Sequence, residues 1–306
     1  MEDSSPGGGV APPGALESAE ASSLRPHRAF PMIRTLLVLC TTSWICTGCA
    51  RDRTPPHGTG VARETLSRKG FAWRTAEAVG VHLHYLPGGL AAPRAPELAR
   101  AAAAALSYDR MLADLPRPAE PVELFLVESR EQARQLTGRG PMGQAIPGEL
   151  TAFFVMMPGR PPAFRHEIMH ALTLKVWGTY RTGSWLQEGV ATWAGGGCMG
   201  HSVDAVAAGF LRDGTLPPLD RLAAHFWELD EVNAYFTAGS AVAFLARGRG
   251  PQGVRSLWEA FPTPAITHPL GAGGAEMEAA WRRHLQSVPP ARIDPERLRL
   301  HGCETP

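Results

Sequence analysis

From Phe71 onward, apolar residues recur with two different periods, and these periods outline most of the folded elements. Val81, Leu83 and Tyr85 alternate with polar neighbours within Thr75 to Leu86, a period of two that predicts a strand or hairpin ending at Pro87-Gly88-Gly89. Leu98, Leu106, Met111 and Leu112, set among alanines, predict a helix from Glu97 to Leu115. Val122 to Val127 and Thr151 to Met157 are apolar runs of strand length. The period then changes for good. Pro161-Pro162 can open a helix without wasting an N–H, and Ile168, Met169, Leu172 and Val176 form a helical stripe that ends near Gly178. A second helix is predicted from Ser184, with Gln187 three residues on as the partner in a capping box, and Gly195-Gly196-Gly197 stops it. Helical spacing returns over Val203 to Leu211, Arg221 to Leu229, Ala234 to Ala246, Gln252 to Phe261 and Ala275 to Val288, punctuated by Leu216-Pro217-Pro218 and by Gly248 to Pro251. The order of elements predicts an α+β fold: a mixed N-terminal sheet followed by an α-helical subdomain, with a cleft between them.

The flanks follow other rules. Residues 1–31 are rich in Gly, Pro, Ser and Glu without an apolar period and predict a disordered extension, with Met32 a candidate for the true start. Met32-Ile33-Arg34, the apolar run from Leu36 through Ile45, and Cys46-Thr47-Gly48-Cys49 read as an export signal over 32–48, too short for a comfortable membrane span. Thr47-Gly48-Cys49 resembles the lipobox of bacterial lipoproteins, which implies a lipid on Cys49 and attachment to the cell envelope; Cys46 stands where a lipobox has an aliphatic residue. An ordinary cleaved signal or an uncleaved anchor are the alternatives. Residues 49–70 read as a polar tether, 71–290 as one folded domain with one sizeable core, and 291–306 as a C-terminal tail. Thirty basic against 29 acidic side chains leave a net charge of +1, so no polyanion-binding face is predicted and nucleic acid is not an expected partner.

The chemistry is concentrated in one stretch. His166-Glu167-Ile168-Met169-His170 is an HExxH sequence, and Glu188 follows its second histidine by 18 positions. Residues four apart on a helix share a face, so both imidazoles can reach one ion while Glu167, one step round, faces a water beside it. Two antiparallel helices joined through Gly178 to Gly183 would return Glu188 to the histidines as a third, anionic ligand and leave a fourth position open. The plainer alternative makes His166 and His170 ordinary helix histidines and Glu188 a carboxylate interacting with a helix dipole. His82-Leu83-His84, two histidines on one strand face, reads as a solvated pair. Of five cysteines, Cys40 and Cys46 fall in the signal and Cys49 at the lipid site, leaving Cys198 and Cys303 either as a disulfide or as two free thiols.

These residues, read in order, resemble the gluzincin metallopeptidases, specifically the peptidase MA-like domain. The resemblance rests on HEIMHAL and WLQEGVA, with support from Tyr235-Phe236-Thr237-Ala238-Gly239-Ser240 and from Glu276-Met277-Glu278-Ala279-Ala280-Trp281-Arg282, and it spans roughly Phe71 to Ser287. It implies a thermolysin-like catalytic domain holding one zinc ion per chain through His166, His170 and Glu188, with Glu167 as general base and a peptide or protein as substrate. Zinc would polarise the scissile carbonyl and acidify water, and Glu167 would carry the water's proton to the leaving amine. The same resemblance makes Tyr235 the candidate donor to the developing oxyanion, with His201 and His225 as alternates and half-buried packing as its plainer reading. It makes Thr151 to Met157 the edge strand that pairs with an extended substrate. At one position the pattern breaks: thermolysin-like enzymes carry an Asp four residues after the Glu ligand, and here that residue is Thr192. The competing reading is a non-catalytic envelope lipoprotein that uses the same fold for binding or scaffolding. Glu167 argues against it, since a structural metal site needs no base.

Overall fold

A computed structural model describes residues 60–179, 184–260 and 268–303. The expectations for residues 1–48 and for the lipid on Cys49 lie outside the described residues. The described chain is a mixed sheet followed by helices, the α+β arrangement the two periods predict.

Helix α1 (Gly60–Ser67) comes first, within the stretch read as a tether. Its Ala62 is fully buried against Phe125 and Phe153, so the folded part begins before Phe71. With two buried residues in eight, it carries no stripe that would reveal it in the sequence. Strands β1 (Arg74–Ala78) and β2 (Val81–Tyr85) form a hairpin whose two-residue connection ends in Gly80 at φ 77°, a backbone region glycine enters without steric cost. Helix α2 (Ala95–Leu112) leads to β3 (Val122–Val127), which is buried at every position. Next comes α3 (Arg130–Thr137), a helix the apolar pattern does not predict because Ala133 alone is buried. Ser129 caps it by accepting from the Gln132 N–H, while the Gln132 side chain accepts from the Glu128 N–H at 2.7 Å.

Strands β4 (Gly143–Ala145) and β5 (Thr151–Val155) complete a sheet of order β1-β2-β3-β5-β4, parallel along β2-β3-β5 and antiparallel at both margins. The expectation that Thr151 to Met157 forms the edge is corrected: β5 lies inside the sheet and β4 forms the edge. The physical reason is that β5 is apolar on both sides. Ala152 and Phe154 join the main core, whereas Phe153 stacks on Phe125 at 4.9 Å on the opposite face, and a strand buried on both faces belongs in the interior.

Helix α4 (Phe164–Val176) packs with α2 over one face of the sheet, and α5 (Ser184–Gly195) packs beside it. A short hairpin of β6 (Gly197–Cys198) and β7 (His201–Ser202) precedes α6 (Val203–Arg212) and α7 (Leu219–His225), and a tight turn over Phe226–Glu228 follows. Helix α8 (Glu231–Ala260) breaks at Gly250, φ 67° and ψ 177°, just before Pro251, where the sequence predicts a boundary between two helices. Helices α9 (Gly274–Ser287) and α10 (Pro295–His301) end the fold. The stretch read as a tail is tied down: the Ala291 N–H donates to Ala205 at 2.8 Å, and Cys303 is bonded to Cys198, the pairing left open by the cysteine count.

Candidate metal centre

The site depends on how closely α5 and α8 approach. A Cβ on Gly189 would meet the Ala238 carbonyl oxygen and a Val242 methyl at 2.9 Å, and a Cβ on Gly239 would meet the Thr192 methyl at 2.8 Å. Two glycines, one per helix, therefore let the backbones come nearly into contact, and the residue before Gly189 is Glu188. This also explains Thr192, where a carboxylate was expected from the resemblance: its methyl fills the space under Gly239, so here the position serves packing.

His166 and His170 lie on the first two turns of α4, and Glu188 on α5 faces them. The distances are 3.2 Å from His166 Nε2 to His170 Nε2, 3.2 Å from His166 Nε2 to Glu188 Oε2, and 3.2 Å from His170 Nε2 to the same oxygen. Both imidazoles can donate to Glu188 in this arrangement, but three donor atoms that converge on one point can also be satisfied together by a single cation. A tetrahedral ion with bonds of about 2.0–2.2 Å keeps its donors about 3.3–3.6 Å apart, close to what the three side chains provide. Among the described residues this is the group of His, Cys, Asp and Glu side chains arranged to hold a metal ion. The donor set of two imidazoles and one carboxylate suits a divalent transition metal.

Electrostatics separates the two glutamates. Burial alone would raise the Glu188 carboxyl, but the charges and hydrogen bonds of His170 and His166 hold it well below the usual carboxylate range, as a ligand must be. For Glu167 burial dominates and pushes its carboxyl up to about 7; the Glu188 charge adds to this, while His166 and the Ala145 backbone N–H pull the other way. A carboxyl poised near neutrality beside a cation site is suited to taking up and releasing a proton.

Ala145 belongs to β4, and so does a residue that sequence reasoning missed. A Cβ on Gly143 would lie 2.2 Å from Glu167 Oε1, so the strand edge and the Glu167 carboxyl occupy adjoining space only because residue 143 has no side chain. No motif announces such a residue, since its contribution is an absence.

Tyr235, on the second turn of α8, is also brought to the centre. Its ring stacks on His166 at 5.9 Å between centroids, which puts its hydroxyl within the field of Glu188. Burial, followed by the charges of Glu188, Glu231 and Glu167, raises its pKa, so the phenol stays protonated and remains a donor. The two alternates are elsewhere. His201 is exposed on β7 beside the disulfide, and His225 pairs with Glu228 at 3.2 Å on an exposed surface.

Ser184 does not form the predicted capping box. Its hydroxyl accepts from the Trp227 indole at 2.7 Å, and the Gln187 side-chain nitrogen is buried without a partner. The His82 and His84 reading also needs correction. His84 is 3% exposed, its Nε2 lies 2.6 Å from Glu123 and its Nδ1 2.9 Å from the Thr75 hydroxyl, while His82 Nδ1 meets the other Glu123 oxygen at 3.1 Å. This pair is bonded inside the protein rather than solvated. No protein-family model matches the chain, and no curated protein matches it at a significant level.

Proposed function

We propose that this protein is a zinc-dependent peptidase of the bacterial cell envelope, built on a gluzincin-type catalytic domain. The observation that carries the reading is the triangle of His166, His170 and Glu188 donors at 3.2 Å, with the buried Glu167 carboxyl beside it. A purely structural site has no use for that carboxyl.

Zinc, when bound, would supply the Lewis acidity that polarises a scissile carbonyl and makes water acidic enough to attack near neutral pH. The chain's own residues do the rest. Glu167, seated against Gly143 of β4, accepts the proton of the attacking water and delivers it to the leaving amine. Tyr235, stacked on His166 with its phenol protonated, offers its O–H to the oxyanion as charge develops there. β4 pairs with β5 on one side, so its other edge is available to an extended peptide, which would run directly past Glu167. This transfers the substrate-pairing role from Thr151–Val155 to Gly143–Ala145. Export agrees with the Cys198–Cys303 bond, since disulfides persist in oxidising compartments, and a lipid on Cys49 is the proposed attachment.

The test is a peptide-library cleavage assay on zinc-loaded protein, with Glu167→Gln as the control. Loss of the base should lower kcat by about 10³-fold while zinc stays at one per chain. A Glu167→Gln protein that cleaves at the parent rate would remove Glu167 as the base, and a parent that binds zinc and cleaves nothing would favour the non-catalytic lipoprotein instead.

A further inference from the structure

Of the tryptophans described, Trp227 alone is exposed, at 68% of its surface. Large aromatic side chains are usually drawn into a core, and one kept in water yet rigidly held is suited to contact something outside the chain. Trp227 is rigidly held, because its indole N–H donates to the Ser184 hydroxyl at 2.7 Å. Ser184 stands four residues before Glu188 on α5, one turn away on the same helix face. The bond therefore ties the indole to the side of α5 that carries the metal ligand.

A second line of contacts reaches the same point. Trp227 meets Phe226 edge-on at 5.0 Å, Phe226 meets Tyr235 at 5.4 Å, and Tyr235 stacks on His166 at 5.9 Å. This aromatic run begins at the metal centre and ends in solvent. Three such steps keep Trp227 within the span of about five residues of extended peptide, at roughly 3.3 Å each.

Resting on the peptidase reading, we propose that Trp227 is the platform of a substrate subsite that takes a large apolar side chain, best an aromatic one, of the bound peptide a few residues from the cleaved bond. The buried members of the run, Phe226 at 4% exposure and the half-buried Tyr235, back the indole and leave its outer surface for the ligand. Because the hydrogen bond already fixes the ring, little side-chain freedom is lost when a substrate stacks on it.

The experiment uses zinc-loaded full-length protein and extended peptides that differ by Phe or Ala at one position at a time. The parent should prefer Phe over Ala by about tenfold in kcat/KM at one position, and Trp227→Ala should bring that ratio close to one, with Trp227→Phe restoring most of it. Calorimetry on the Glu167→Gln protein should show the Phe peptide binding about tenfold more tightly than it does to the Glu167→Gln, Trp227→Ala double variant. A preference that survives in Trp227→Ala overturns the inference alone, as does an equal loss on both peptides with the ratio unchanged. Trp227-dependent binding of N-acetylglucosamine oligomers in place of peptides would also overturn it. Absence of both cleavage and peptide binding overturns it together with the peptidase reading.

Discussion

His166, His170 and Glu188 on one side of the fold, and His82, His84 and Glu123 under α1 on the other, are the same three side-chain types in two arrangements. On the helices, three donor atoms aim at one point and share a spacing of 3.2 Å. On the strands, Glu123 spreads its two oxygens between two imidazoles whose ring centres are 6.4 Å apart, and Thr75 occupies the second nitrogen of His84. One trio converges on a point where a cation would fit, and the other is tied off pairwise. The difference comes from geometry: residues four apart on a helix converge, whereas residues two apart on a strand run parallel, and a carboxylate from the next strand can only bridge them. The inventory of residues therefore does not define a site. Convergence on one point does.

The contrast is broken most directly by exchanging its terms. Glu188→Ala should reduce bound metal below detection in elemental analysis, because two imidazoles alone make a weak site, while His84→Ala should leave metal at the parental level. Metal loss in His84→Ala would erase the distinction between the trios. A smaller effect is expected at Gly143, which touches the helical trio only through Glu167. Gly143→Ala should lower kcat by about 10²-fold with metal content intact, because the new methyl displaces the base and not the ligands. Parental turnover in that variant would show that Glu167 needs no fixed seat against β4.

The strand trio should respond in stability instead. Glu123→Ala leaves two imidazoles beside a buried cavity without their acceptor and should cost about 2–3 kcal/mol of unfolding free energy in urea titrations, without change in metal content. An unchanged unfolding midpoint would make the trio ornamental.

A further buried carboxylate sharpens the comparison, because it has neither arrangement. Asp109 is fully buried, both its oxygens lack hydrogen bonds, and Arg165 stands at 3.9 Å; burial pushes its carboxyl up to about 8 while Arg165 draws it down. In the unfolded chain the same group titrates near 4, so between about pH 4 and 8 the folded state holds a proton that the unfolded state has released. Its contribution to stability is complete below the lower value and declines by about 1.4 kcal/mol per pH unit as pH rises toward the upper one. Asp109→Asn removes that slope, so urea unfolding should find the Asn form gaining on the parent steadily from about pH 5 to 8. Parallel pH curves would mean that Asp109 finds a partner when it ionises.

What the sequence revealed follows the same logic of visible and invisible contributions. The long helices and β3 bury many side chains and therefore print a period on the chain, and the break at Gly250 and Pro251 was legible for the same reason. Helix α1 and helix α3 bury two residues and one, and β4 is three residues long, so none of them leaves a pattern to read. His166, Glu167 and His170 stand in a motif because their spacing alone puts them on one helix face. Gly143 and the glycine pair Gly189 and Gly239 act by leaving room, and the partnership of His82 with Glu123 depends on a strand register that joins positions 41 apart. Interactions of that kind appear only once the chain is folded.

The Cys198–Cys303 bond, spanning 105 residues, turns α6 through α10 into a covalent ring that hangs from the end of α5. Closing a loop of this size removes enough freedom from the unfolded chain to be worth about 4–5 kcal/mol in the entropic account. It also changes what damage means. A single cut in an exposed turn such as Asp213-Gly214 would open the ring without parting the molecule, and Tyr235 would stay leashed to the helix that carries Glu188. The ring is a form of fault tolerance: nicked molecules would run intact on a non-reducing gel and come apart only when the bond is reduced.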